Sequence, residues 1–210
     1  MSEIIVRCEQ LVKEIYETMD ASHDFQHIER VYQNAMTILK SEPLADEKIV
    51  SLAVLLHDVS DEKYAADKQQ EQRILDELDL TEEEKQHIRT VIAEVSFNGG
   101  NERDITTVES KIVRDADRLD AIGAVGIART FAYGGAKGRK LYDDAEEVRV
   151  NMTKEQYRSQ STASVTHFYE KLLLLKDLMV TAKGREMAEE RHAFMVQFLE
   201  QLKKERDGIS

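Results

Sequence analysis

Apolar positions recur along almost the whole chain at the three- and four-residue spacing of an amphipathic helix. Over residues 3–19 the stripe is Ile4, Ile5, Cys8, Leu11, Val12, Ile15 and Met19. Over residues 25–40 it is Phe25, Ile28, Val31, Tyr32, Ala35 and Leu39. Residues 46–59 depart from the pattern. Their run IVSLAVLLHDV is apolar nearly all round, which predicts a helix buried among the others. Charged helices are predicted over about 67–79 and 82–95, with Thr81 and Glu84 in capping-box register at the start of the second. A helix over 104–121, one rich in Gly and Ala over 123–133, and two long ones over about 153–180 and 184–206 complete the order.

The breaks agree with these segments. Asp20-Ala21-Ser22-His23-Asp24 is a polar interruption with N-cap chemistry, and Phe97-Asn98-Gly99-Gly100 is a turn. Gly134-Gly135-Ala136-Lys137-Gly138-Arg139 reads as a basic glycine-rich loop. Pro43, the only proline, falls between two helical patterns. With 9 glycines and no long alternating β-branched run, the expected fold is all-α, a helical bundle.

A length of 210 residues fits one domain with an elaborated end. Apolar residues make up 41% and charged residues 33%, ordinary for a water-soluble globular protein. The net charge of −12 argues against general nucleic-acid binding, which needs cations on the protein to neutralise phosphates. It leaves room for a small phosphorylated substrate, because a metal and a few arginines can reverse the field inside a cleft. The lone cysteine, Cys8, rules out an internal disulfide. The opening MSEIIVRCEQ has no signal-peptide apolar region, and no apolar run reaches the length of a membrane span. The expectation is a cytoplasmic protein with no membrane partner.

The candidate chemistry lies in three places. His57 and Asp58 end the apolar helix, His27 opens the second helix, and Asp117 sits in Arg114-Asp115-Ala116-Asp117-Arg118-Leu119-Asp120. Two imidazoles and two carboxylates form a mixed N/O set suited to a divalent cation. Each has a plainer use. A histidine at a helix C-terminus complements the dipole, His27 could be a boundary residue, and His23 lies one turn earlier. Asp120 and Asp115 compete with Asp117. An acid beside the buried side marked by Ala116, Leu119 and Ile122 needs a partner, and a cation would supply one.

Just past His57-Asp58 stand Asp61, Glu62 and Lys63. An acid there could accept a proton from an acidified water, and Lys63 could neutralise a phosphate oxygen. Arg118, Lys137, Arg139 and Lys140 are candidate phosphate contacts. A solvated charged loop, a surface salt bridge and a flexible turn are the competing uses. The glycine-rich segment is not a P-loop, since no G-x-x-x-x-G-K-[ST] pattern occurs.

The phrases SHDFQHIERV, HDVSDEKY, DADRLDAIG and FAYGGAKGR together resemble the HD-domain metal-dependent phosphohydrolases, in particular their YpgQ/YedJ-type branch. The resemblance runs from Ser22 to Arg191-His192-Ala193-Phe194-Met195. It implies one HD-domain hydrolase with a core over about residues 20–125, a substrate-facing loop at 134–140 and a helical extension over about 153–206. It implies metal ligation by His27, His57, Asp58 and Asp117, with one divalent ion: manganese, magnesium, iron, cobalt, nickel or zinc. Only His87 lies between the His-Asp pair and Asp117, which favours a single metal. The implied activity is nucleoside triphosphate hydrolysis with release of pyrophosphate. Monophosphate or cyclic-nucleotide hydrolysis, and a non-catalytic nucleotide sensor, are the alternatives. A homodimer is compatible with this reading.

Overall fold

A computed structural model of the chain describes residues 2–16, 25–59, 69–95, 104–149 and 162–209. Among these residues the fold is all-α, with no strand. The helices are α1 (Glu3–Tyr16), α2 (Phe25–Leu39), α3 (Glu47–Leu56), α4 (Gln70–Glu77), α5 (Glu82–Val95), α6 (Val108–Asp120), α7 (Gly123–Ala136), α8 (Ser164–Glu170) and α9 (Ala182–Arg206). A 3₁₀ helix, η1 (Leu172–Leu178), joins the last two. The polar break around His23 and the Phe97–Gly100 turn lie outside the described residues.

The chain divides into two compact units. The first contains α1–α5 and α6 as far as Asp117. Its centre is α3, where every residue from Ile49 to Leu56 is buried, as the all-round apolar run predicts. Helices α1, α2 and α5 pack around it. Asp46 starts α3 by accepting hydrogen bonds from the backbone N–H groups of Lys48 (2.8 Å) and Ile49 (3.3 Å). The capping box at α5 also forms. Thr81 N–H donates to Glu84 Oε2 (2.9 Å), and Glu84 N–H donates to Thr81 Oγ1 (3.2 Å).

The second unit begins at Arg118 and contains α7, α8, η1 and α9. Phe131, Phe168 and Phe198 form its aromatic centre, with ring centroids 5.7–6.3 Å apart. The predicted glycine-rich loop is shorter than expected, because α7 continues through Gly134 and Gly135 to Ala136. Gly134 serves close packing: a Cβ there would lie 2.1 Å from Ser164 Oγ. Gly138, at φ 65°, supplies the left-handed turn.

The predicted long helix over 153–180 is corrected by the structure. Residues 150–161 lie outside the described residues, and α8 spans only seven residues before a break at Lys171 (φ −141°, ψ −59°). The four-leucine run then takes 3₁₀ form. Leu172 and Leu175 are buried while Leu174 and Leu178 are exposed, and a three-residue period presents the first two on one side.

Replacing Leu52 by Ala is expected to cost about 2–5 kcal/mol in urea unfolding, and Asp46 by Ala about 1 kcal/mol. His167 on α8 gives a pH signature. Burial, with Lys171 and Arg139 close by, lowers its pKa from 6.5 to about 4. The folded state therefore binds fewer protons than the unfolded state between these values. The stability contributed by neutral His167 is complete above pH 6.5 and is lost as pH falls toward about 4. Urea midpoints should rise over that interval in the wild type and rise less in His167→Gln.

Candidate metal centre

Three helices of the first unit deliver the predicted donors. His27 lies in the first turn of α2, His57 caps the C-terminus of α3 with Asp58 following, and Asp117 is on α6. The His57 ring is fixed by its own helix. Its Nδ1 lies 2.8 Å from the Val54 carbonyl oxygen, which can only accept, so Nδ1 carries the proton. Nε2 is then left with a bare lone pair. That atom is buried, has no hydrogen-bond partner, and belongs to a side chain only 4% exposed.

The other donors converge on that lone pair. His57 Nε2 stands 3.6 Å from Asp58 Oδ2 and 3.9 Å from Asp117 Oδ1. His27 Nε2 stands 3.4 Å from Asp58 Oδ2 and 3.5 Å from Asp117 Oδ1. His27, His57 and Asp117 each offer an atom within 4.8 Å of the others. The His57 contacts are too long for hydrogen bonds, so a proton on Nε2 would not satisfy the group. Ligands about 2.0–2.2 Å from a shared ion stand roughly 3–4 Å from one another. The donor set fits a divalent cation, with the Val54 carbonyl orienting one imidazole from behind.

Of the three neighbouring acids, Asp117 joins the imidazoles. Asp120 is buried and pairs with Arg129, and Asp115 is fully buried. His87 stands 3.3 Å from Glu109 Oε2 and is not part of the group. Glu109, in the first turn of α6, also accepts from the Asp46 backbone N–H (2.9 Å), which ties that helix to the start of α3.

The remaining predicted residues are placed differently. Asp61, Glu62 and Lys63, with the competitor His23, lie outside the described residues. Arg118 is buried, and its guanidinium donates to the Leu178 carbonyl. Lys140 pairs with Asp143. Lys137 is exposed and stands 5.9 Å from the Tyr133 ring centroid. Arg139 lies 5.1 Å from the same centroid, and its buried Nε has no hydrogen-bond partner. Arg191 donates to the Leu119 carbonyl (2.6 Å). The sequence reading missed Asn34 and Glu109. Asn34 left a visible signal, because it stands two helical turns after His27 among apolar residues.

Residues 24–122 match the HD domain. The chain is also 39% identical to Bacillus subtilis YpgQ over 204 residues, 94% of this chain and 91% of that protein. This chain belongs to the HD-domain family. A solved HD-superfamily hydrolase from Bacillus thuringiensis is similar to it, with a TM-score of 0.77, 41% identity, and coverage of 97% of this chain and 96% of that one. B. subtilis YpgQ solved in complex with ADP gives a TM-score of 0.74 and 38% identity, covering 97% of this chain and 100% of that one. The HD chain described here is accordingly a metal-dependent phosphohydrolase. None of the helices described is long and apolar enough to cross a membrane.

Manganese should raise the melting temperature of the wild type. An ion at 100 times its Kd stabilises the folded state by about 2.7 kcal/mol. His27→Ala and His57→Ala should lose most of that rise in a thermal-shift titration while keeping the far-UV circular dichroism of the wild type.

Proposed function

We propose that this HD protein is a nucleoside triphosphate pyrophosphohydrolase that uses one divalent ion held by His27, His57, Asp58 and Asp117. The observation that carries the proposal is the buried, unpartnered His57 Nε2 facing two carboxylate oxygens and a second imidazole. The ADP complex of YpgQ supports a nucleotide as the substrate class.

A divalent ion in this set supplies positive charge at the phosphoryl oxygens and lowers the pKa of water. The chain provides the rest. His57, locked by Val54, and His27 offer neutral nitrogens, while Asp58 and Asp117 offset the charge of the cation. Water attacks the α-phosphorus, the bond from that phosphorus to the bridging oxygen breaks, and pyrophosphate leaves with that oxygen. Asp61 or Glu62 takes the proton of the attacking water. Lys63 neutralises a leaving phosphate.

The test is a screen of metal-stripped protein with each divalent ion and with nucleoside mono-, di- and triphosphates, assaying pyrophosphate and orthophosphate separately. Metal-dependent pyrophosphate release from a triphosphate is expected, and Asp58→Ala should abolish it with the fold intact. Orthophosphate from a monophosphate would move the assignment to a nucleotidase. Nucleotide binding without turnover under every ion would make the protein a sensor.

A further inference from the structure

We infer that Asn34 is a positioning residue for the metal centre, its buried carboxamide fixing the peptide that carries Asp117 against the helix that carries His27. This inference rests on the metal reading above and concerns how the ligands reach their places.

Asn34 lies seven residues after His27 on α2. Seven residues are two turns less about 20°, so both side chains leave the helix on nearly the same azimuth. Its surroundings are apolar: Val31, Ala35 and Ile38 are fully buried, and Asn34 itself is only 7% exposed. A carboxamide in such a place costs free energy unless it is hydrogen-bonded, whereas a leucine of similar size would fill the volume without that cost. The amide finds its partner on another helix. Asn34 Nδ2 donates to the Ala116 carbonyl oxygen at 3.1 Å.

The identity of the acceptor gives this bond its meaning. The Ala116 carbonyl belongs to the same planar peptide as the Asp117 N–H, so the bond holds the backbone unit from which the ligand side chain leaves. Within α6 the carbonyl has a second lone pair for the intrahelical bond, so the interhelical contact does not unwind the helix. Apolar packing alone fixes separation better than rotation. Turning α6 by one residue moves a side chain by about 100°. Asp117 Oδ1 stands 3.5 Å from His27 Nε2, and a rotation of that size would carry it out of the site. A directional bond from the helix of one ligand to the peptide of another sets the rotation.

Calorimetric titration of the metal-free protein with manganese, well below its melting temperature, tests this. Asn34→Leu keeps the volume and removes the donor. Asn34→Asp keeps the shape and turns an acceptor toward the Ala116 carbonyl. Ile38→Val, fully buried on the same helix, is the control for lost stability alone. Both Asn34 variants are expected to bind manganese about ten-fold more weakly or worse, as outer-shell changes do. Their kcat should fall with nucleotide KM unchanged, while Ile38→Val keeps wild-type affinity. Wild-type affinity in both Asn34 variants would overturn the inference. So would an equal loss in Ile38→Val, because affinity would then follow stability. If Asn34→Leu does not fold, Asn34→Asp decides by the same criteria. A wild type that binds no divalent ion would overturn the metal reading itself, an outcome distinct from either of these.

Discussion

Two imidazoles and two carboxylates face one another at the end of a buried helix, an arrangement that a positive charge among them would stabilise. The His57 imidazole is the strictest member. Its Nδ1 proton is committed to Val54, and its Nε2 lone pair is turned toward Asp58 and Asp117. The two carboxylates stand 3.6 and 3.9 Å from that desolvated nitrogen, too far to satisfy it by hydrogen bonds and near enough to share a cation with it. The helical bundle of the first unit can be understood as the frame that enforces this convergence.

The frame has three parts. Central α3 is apolar on all sides, so it is held by its neighbours and brings His57 and Asp58 to a fixed end point. Helix α2 brings His27, and α6 brings Asp117. Polar contacts at defined places set how these helices meet. Glu109 fastens the first turn of α6 to the N-cap of α3, and Asn34 fastens α2 to the peptide of Asp117. Packing supplies most of the stability, and these few directional bonds supply register.

Much of this was legible in the sequence because helical periodicity and capping are local. Among the described residues, the stripe of α1 as far as Ile15, the stripe of α2, the apolar run of α3 and the Thr81–Glu84 capping box appear where the pattern placed them. His27, His57, Asp58 and Asp117 could be named because the phrases around them resemble a family. Their spacing alone left His23, Asp115 and Asp120 in competition. Other features depend on tertiary contact. Gly134 looked like a loop residue until Ser164 was seen to need its missing side chain. The leucines after Lys171 looked helical because composition does not separate a 3₁₀ turn from an α turn. The role of Val54 depends on a backbone carbonyl, to which the residue type gives no clue.

The most direct test of the account is anomalous diffraction at the manganese edge from crystals grown with that ion. One peak within coordination distance of His27 Nε2, His57 Nε2, Asp58 Oδ2 and Asp117 Oδ1 is the predicted result. No peak there, or a peak whose ligands exclude His57, would contradict it.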